Sequence, residues 1–286
     1  MDQLTQQIAN GIMAGSIYGL LAMSLALVVG VLDIPQFAFG AHAMLGAYVV
    51  TLFDGQSYWL GVVEAIIVMA GVGALVQAAV FDPLRNAESA TLFIAAFGLM
   101  MVLQGLALVV FGPDNRSVAP PLRGTVHILG ALVTMQRVLV IVVTLVVVAL
   151  LNLFLRRTAL GRSIRAAGQS TTGALVVGLS PRRIAFVTMA IGSALAALAG
   201  ALIAPISDVY PAMSESLIIK AFIIIVLAGM GSLNGALIGG CIVGLTESFG
   251  SAWLSLDFKD AYPLVLLVLI LMIRPRGMFG KTVRRA

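Results

Sequence analysis

An unbroken apolar run near the middle of the chain constrains the fold more than any other feature. Residues 138–155 read VLVIVVTLVVVALLNLFL and include no charged side chain. A membrane-spanning helix needs about 20 mostly apolar residues, so this run has the composition of a span. The chain of 286 residues is 60% hydrophobic and 10% charged. A soluble domain of that size cannot bury so much apolar surface, and lipid must be the solvent for most of it.

Further apolar runs divide the rest of the chain into predicted spans. They are 8–31, 37–53, 60–81, 91–111, 136–155, 184–205, 217–228, 235–250 and 260–273. Two of them are short, so the sequence predicts eight or nine crossings. A barrel would instead show alternating segments of about 10 residues. The predicted fold is an all-α polytopic membrane protein, one transmembrane domain over 1–286 with some short or broken helices.

Positive charge predicts the orientation of this bundle. Of the seventeen Lys and Arg residues, eleven fall within 156–183 and 274–286. The positive-inside rule places both segments in the cytoplasm, and counting nine spans from them places the N-terminus outside. The other predicted inner loops are 82–90 and 229–234, and the outer ones are 112–135, 206–216 and 251–259. Because the charge clusters at span ends, we expect lipid headgroups as its partner, and no nucleic acid.

No motif for covalent chemistry or metal binding is present in the sequence. Its two histidines are His42 and His127, and its one cysteine, Cys241, is predicted to be a free buried thiol. The tail segment GMFGKT resembles a phosphate loop, but Pro275 occupies the position of the first glycine. We therefore predict no catalytic residue, no metal and no cofactor on this chain.

The segment LDIPQFAFGAHAMLG, residues 32–46, predicts a helix break between the first two spans. Pro35 removes a backbone donor and disfavours helix at Ile34. Polar side chains beside such a break either line a solute pathway or satisfy the freed backbone groups, and both interpretations stay open. The candidate pathway-lining residues of this segment are Gln36, Phe37, Phe39 and His42.

A second break is predicted in AGMGSLNGALIGG, residues 228–240, where Ser232 and Asn234 are further pathway candidates in the bundle centre. Glycines at four-residue spacing predict close helix packing on either side of it. These rows are Gly11, Gly15 and Gly19, then Gly231, Gly235 and Gly239, with Gly240 and Gly244 beside them. Glu64 and Glu247 fall within spans nearer the outer interface than the midplane, which gives little support to a proton relay.

The basic segment 156–183 reads RRTALGRSIRAAGQSTTGALVVGLSPRR and has helical character. Its first two arginines are placed to meet the inner headgroups, and Pro181 suits the start of the next helix. Charge alone fits a loop lying on anionic lipid. The small residues within it favour, in addition, a helix that docks in a groove of another protein.

These segments resemble the H-type (LivH-like) permease subunits of ABC importers of the branched-chain amino acid class. The resemblance rests on LGRSIRAAGQSTTGALVVGLS, on DPLRNAESATLFIAAFGLMMVLQ, on VLAGMGSLNGALIGGCIVGLTES and on the closing IRPRGMFG. It implies a multi-pass subunit of the bacterial inner membrane. Its expected partners are a second, M-type permease, two ATPase subunits that hold ATP and Mg, and a periplasmic solute-binding protein.

The resemblance also implies roles for particular residues. The coupling segment would contact the ATPase through Gly161, Arg162, Arg165, Ala166, Ala174 and Gly178. Family members often read Asn-Phe-Ala-His-Gly where this chain has Gln36 to Gly40, with its histidine at His42 instead. Arg116, Arg123 and Arg137 form the outer cationic group, which we expect to meet acidic patches of the binding protein. The alternative function is a stand-alone secondary transporter or channel.

Overall fold

The computed structural model describes residues 2–55, 57–128, 131–229, 231–274 and 277–278. Helices dominate it, and a short antiparallel hairpin of strands β1 (Thr125–Ile128) and β2 (Ala131–Thr134) lies between the fourth and fifth helices. The helices are α1 (Asp2–Leu32), α2 (Phe39–Thr51), α3 (Tyr58–Val76), α4 (Ser89–Phe111), α5 (Met135–Arg157), α6 (Ala159–Gln169), α7 (Thr171–Val176), α8 (Pro181–Ile203), α9 (Met213–Ala228), α10 (Leu233–Trp253) and α11 (Ala261–Ile273).

Every predicted span coincides with a helix, although the helices differ in length. Six of them are long and apolar enough to cross a membrane: α1, α3 with its π-helical continuation Gln77–Phe81, α4, α5, α8 and α10. The other three, α2, α9 and α11, have 13, 16 and 13 residues. At 1.5 Å per residue, 13 residues reach about 20 Å, less than the ~30 Å of a hydrocarbon core. The chain is therefore a multi-pass membrane protein in which short helices cover part of the depth.

α1 and α10 pack closely against each other, and the glycine rows explain how. A Cβ atom on Gly15 would lie 2.6 Å from the carbonyl oxygen of Gly240, and one on Gly240 would lie 2.5 Å from the Cα of Gly19. Gly244 meets Gly11 and Gly15 in the same way. Backbones that approach this closely pack by dispersion, which confirms the prediction from glycine spacing.

The helices at the periphery of the bundle expose apolar side chains. Leu75 of α3, Ile94 and Val109 of α4 and Leu150 of α5 are all exposed. In a soluble protein such a surface would aggregate, whereas in a membrane it faces lipid or a partner helix. The apolar composition of the chain is thus accounted for by lipid-facing surface as well as by a buried core.

Contacts between loops agree with the predicted sidedness. The guanidinium of Arg182, at the start of α8, pairs with Asp82 at 2.8 Å, so the predicted inner segments share one face. At the opposite face, the backbone of Arg116 pairs with that of Val209 through N–O distances of 2.9 and 2.8 Å. That pairing joins two segments predicted to lie outside. Most of the basic tail 274–286, the other predicted inner segment, lies outside the described residues.

Two expectations are corrected by the structure. The all-α prediction missed the β1–β2 hairpin, which forms in a loop outside the apolar spans from β-branched residues such as Thr125, Val126 and Val133. Cys241 is free but half-buried rather than buried.

Candidate functional site

The first helix break lies where Pro35 predicted it. α1 ends at Leu32, and Asp33 follows with φ 54°, a left-handed conformation that no helix continues. The amide of Asp33 still donates to the carbonyl of Val29 at 3.0 Å, which closes the last turn. Residues 33–38 then run without helical structure until α2 begins at Phe39. We call 33–38 the broken segment.

An aromatic cluster places the broken segment between α4 and α9, well below the outer end of the bundle. The ring of Phe37 stacks on Phe222 of α9, with centroids 4.2 Å apart, and meets the edges of Phe93 and Phe97 of α4 at 4.7 and 6.2 Å. Phe222 is nine residues from the outer end of α9, so Phe37 lies about 14 Å below that end. Non-helical backbone at such a depth requires protein or water around it.

Gln36 satisfies the backbone that the break frees. Its side chain is fully buried, and its amide oxygen accepts from the backbone N–H of Ala38 at 3.2 Å. Its amide nitrogen lies 3.7 Å from the sulfur of Met189 on α8. For Gln36, these contacts favour the structural interpretation over a pathway-lining one, because both ends of the amide face this chain.

His42 and Phe39 are also fully buried at the start of α2, but their environments differ. Phe39 packs on α8, where a Cβ atom at Gly192 would lie 2.8 Å from its ring. Neither ring nitrogen of His42 has a hydrogen-bond partner among the described residues. Burial of an imidazole without a hydrogen-bond partner is unfavourable, so His42 is an unsatisfied polar group at the start of α2.

Ser232 and Asn234 do not join this group. Gly229 and Gly231 have φ of 91° and 82°, which breaks the chain between α9 and α10 as predicted. The Ser232 hydroxyl caps α10 by accepting from Gly235 N at 3.2 Å, and Asn234 accepts from the Asn152 side chain at 3.2 Å. Asn234 is exposed, so this break lies at the inner end of the bundle rather than in its centre.

The basic segment folds as two capped helices, α6 and α7. The Thr158 hydroxyl accepts from Gly161 N at 2.9 Å and that of Ser170 accepts from Gly173 N at 3.0 Å, so each helix begins at an N-cap. Gly161 packs on the end of α5, where a Cβ atom would collide with the backbone of Phe154. The amphipathic pattern of α6 therefore has a clear cause: one side packs on this chain, and the other is free.

The six predicted coupling residues divide between these two sides. Gly161 and Ala174 are buried against their own chain and Ala166 is half-buried, whereas Arg162, Arg165 and Gly178 are exposed. Gly178 has φ 76°, a conformation that favours glycine, where the chain turns towards α8. The residues that face outward with Arg162 and Arg165 are the apolar Leu175, Val176 and Val177 at the tip of α7.

Three glycines connect the basic segment to the rest of the bundle. A Cβ atom on Gly168 of α6 would lie 2.8 Å from the carbonyl oxygen of Gly30, near the inner end of α1. A Cβ atom on Gly30 would lie 3.1 Å from the Cα of Gly231, in the second break. α6 therefore touches α1 a few residues before the broken segment begins.

The three outer arginines occupy two different environments. Arg116 is held by its own chain, since it donates to the carbonyl of Phe111 at 2.8 Å and lies over that ring at 5.3 Å. Arg123 and Arg137 line one open cavity of about 490 Å³ with Thr125 and Thr134. Arg137 also donates to the side chain of Asn10. Two guanidinium groups in one outward cavity suit a carboxylate ligand.

Three members of the aromatic cluster carry no distinguishing signal in the sequence: Phe93, Phe97 and Phe222. In the sequence each is one apolar residue in an apolar helix, and helical periodicity does not distinguish a residue facing lipid from one facing Phe37. The sequence marked only Phe37, through its neighbour Pro35.

Comparison with known proteins agrees with this architecture. Residues 7–273 match the family described as branched-chain amino acid transport system / permease component. The chain is 33% identical to the high-affinity branched-chain amino acid transport system permease protein LivH of Escherichia coli (strain K12), over 96% of this chain and 95% of that protein. It is 26% identical to LivM of the same organism, over 93% of this chain and 68% of that one.

The fold also resembles a solved structure. A chain of PsaBC from Streptococcus pneumoniae, in complex with Fab, superposes with a TM-score of 0.52 at 12% identity, over 96% of this chain and 93% of that chain. At that identity the likeness concerns the fold alone. The match over nearly the whole chain shows that this protein belongs to the family of branched-chain amino acid transport system permease components.

Proposed function

We propose that this chain is the H-type transmembrane subunit of an ATP-driven importer that carries branched-chain amino acids across a bacterial inner membrane. Its nine apolar helices would cross or enter the membrane, with the three short ones completing the bundle. The observation that carries the proposal is family membership over residues 7–273, together with a basic helical segment that leaves the bundle and exposes one face.

The proposed partners follow from family membership and from the surface that this chain exposes. ATP and Mg would bind on two separate ATPase subunits, and a second, M-type permease would complete the pathway. The relationship of this chain to both LivH and LivM supports a pair of homologous permeases.

The mechanism begins at the exposed face of α6 and α7. Arg162 and Arg165, with the apolar tip of Leu175, Val176 and Val177, would dock in a groove of the ATPase. Closure of the ATPase dimer would then move α6. Because Gly168 lies directly against Gly30, a displacement of α6 is transmitted to the inner end of α1.

The broken segment is the next element along the chain. Asp33 directly follows α1, and Phe37 lies four residues further, at the aromatic cluster. A shift of α1 would therefore re-orient the Phe37 ring between α4 and α9. Two packings of this ring against Phe93, Phe97 and Phe222 would open the pathway alternately to the two sides.

The solute would meet apolar rings at mid-depth. Phe37 and Phe222 are half-buried, and Phe93 and Phe97 are partly exposed, so the cluster forms one wall of a pathway that the second permease would close. Aromatic rings suit the aliphatic side chains of leucine, isoleucine and valine. His42 would supply a polar group below the wall surface.

Docking of the binding protein would use the outer cavity. Of the three predicted arginines, Arg123 and Arg137 line this cavity, and we propose that they receive acidic side chains. Arg116 is committed to Phe111 and would support the loop instead.

One experiment tests the class of transporter. The chain is purified alone into vesicles, and uptake of labelled leucine is followed under a proton or sodium gradient. In parallel, leucine uptake is measured in cells that lack the gene and in complemented cells. The proposal expects no accumulation by the isolated chain and ATP-dependent uptake that is restored by complementation. Accumulation by the isolated chain would establish a self-sufficient carrier and overturn it.

A further inference from the structure

A lysine is buried between the membrane helices, about halfway along α9. Lys220 lies in α9, seven residues from its outer end, and its side chain is 6% exposed. Its ammonium group lies 3.1 Å from Glu247 of α10 and 3.2 Å from the hydroxyl of Tyr18 of α1. The carboxylate of Glu247 is 3% exposed, so both charges are removed from water.

Two further charges close over this pair. Lys259 reaches the same Glu247 oxygen at 3.1 Å, and Asp260 reaches Lys220 at 2.9 Å. Both come from the segment between α10 and α11, and their side chains are 50% and 71% exposed. The two cations and two anions thus have a formal net charge of zero. The inner pair, Lys220 and Glu247, is shielded from solvent, whereas the outer pair, Lys259 and Asp260, is in contact with it.

Removing two charges from water is expensive, and the mutual attraction of a buried pair often fails to offset that expense. An apolar pair of the same volume would hold α9 and α10 together at least as well. One oxygen of Glu247 accepts from three donors, while the other has no partner among the described residues. The arrangement therefore contributes little to stability by itself. Its effect is to hold the helices in one relative orientation.

What it fixes is the rotation of α9. Phe222 follows Lys220 by two residues, which is about 200° around a helix, so the two side chains leave α9 on opposite sides. The side opposite Lys220 carries Phe222 of the aromatic cluster and the exposed Glu215, and the exposed Ile219 lies about 60° around the helix from Phe222. Three elements hold Lys220 at once: α1 through Tyr18, α10 through Glu247 and the α10–α11 segment through Asp260.

We propose that Lys220 and Glu247, closed over by Lys259 and Asp260, form a charge-neutral clamp that sets the orientation of α9 and thereby positions Phe222 at the pathway wall. Lys220 and Glu247 are positioning residues that act through α9. The role of the clamp in transport rests on the proposed function, whereas its action on α9 does not.

The test uses a thiol probe on the free side of α9. In the full chain with Cys241→Ala, Ile219→Cys gives one reactive thiol, and its rate of modification by N-ethylmaleimide is measured in membranes. Lys220→Met leaves the Glu247 charge buried and can prevent insertion. The double variant Lys220→Met/Glu247→Gln removes both charges and keeps the volume, so its yield and melting temperature should return to those of the parent.

The clamp predicts that the double variant, although folded, is modified at the introduced thiol about fivefold faster or slower than the parent, because the ion pair no longer fixes the rotation of α9. Its half-saturating leucine concentration for uptake should rise while its membrane level is unchanged. The outer double variant Lys259→Gln/Asp260→Asn should change the modification rate less than about twofold, because the Lys220–Glu247 contact remains and the two replaced side chains are half or more exposed to solvent, which screens their charges.

A folded inner double variant with the parental modification rate would overturn the clamp. So would an outer double variant with the larger effect of the two. The thiol measurement does not depend on transport. A parent chain without any uptake would therefore refute the proposed function, whereas the modification rates would still test the clamp.

Discussion

Gly168 of the basic segment lies directly against Gly30 of α1, where a Cβ atom on Gly168 would come within 2.8 Å of the Gly30 carbonyl oxygen. α1 ends two residues after Gly30, so this contact lies close along the chain to the broken segment. We therefore expect a displacement of α6 to reach the inner end of α1.

The first prediction concerns that contact. Gly168→Leu should separate α6 from α1 and reduce uptake about tenfold or more, while the chain still reaches the membrane, because overpacking of one contact costs about 1–3 kcal/mol. Gln169→Leu, at the neighbouring exposed position, is the matched control and should transport normally. Uptake and membrane level are measured together. Equal uptake by both variants would mean that the contact transmits nothing.

The second prediction concerns the exposed arginine of α6. Arg165→Glu should leave insertion intact and uncouple ATP hydrolysis from uptake, since loss of a charged interface contact typically costs about 2–5 kcal/mol. Arg165→Lys keeps the charge and should retain most of the uptake. ATPase activity and leucine transport of the reconstituted complex are the two measurements. Normal uptake by the glutamate variant would count against a docking role for α6.

The third prediction concerns the aromatic cluster. Phe37→Leu should preserve the fold but change the ratio of valine to leucine uptake about fivefold, because one methylene in an apolar site is worth about 1–3 kcal/mol. Leu75→Ala, on the exposed face of α3, is the control and should leave the ratio unchanged. Competition between labelled solutes measures the ratio. An unaltered ratio in Phe37→Leu would remove the ring from the pathway.

The fourth prediction concerns the outer cavity. Arg123→Gln/Arg137→Gln should raise the concentration of loaded binding protein needed for half-maximal uptake by about tenfold at low salt, with a smaller difference at high salt. Arg123→Lys/Arg137→Lys keeps both charges and should lose much less. A response to binding protein that is the same in both double variants would exclude charge recognition at this cavity.

The fifth prediction concerns stability. Gly240→Leu should lower the melting temperature of the purified chain, because α1 and α10 must separate to admit the side chain and overpacking costs about 1–3 kcal/mol. Gly71→Leu is the matched control, since a Cβ atom there has no neighbour within 4 Å. Melting followed by tryptophan fluorescence compares the two. A similar melting temperature in both variants would show that the glycine row is dispensable.

The sequence by itself determined the features that depend on local chemistry. Apolar runs located the nine apolar helices, Pro35 located the broken segment, and glycine spacing predicted close packing along α1 and α10. The capped basic segment 156–183 was also visible, because its composition differs from that of the apolar spans on either side. Each of these signals lies within about 20–30 neighbouring residues, the length of one or two helices.

Only the tertiary structure decided which distant residues meet. Phe37 and Phe222 are 185 positions apart and stack, and Tyr18 donates to Glu247 across 229 positions. Lys220, unremarked in the sequence, proved to be the partner that makes a buried Glu247 tolerable. Helical periodicity distinguishes the two sides of a helix when one side is polar. In a membrane, the lipid and the protein interior are both apolar, so periodicity does not show which helices contact each other. Packing of the side chains decides those contacts.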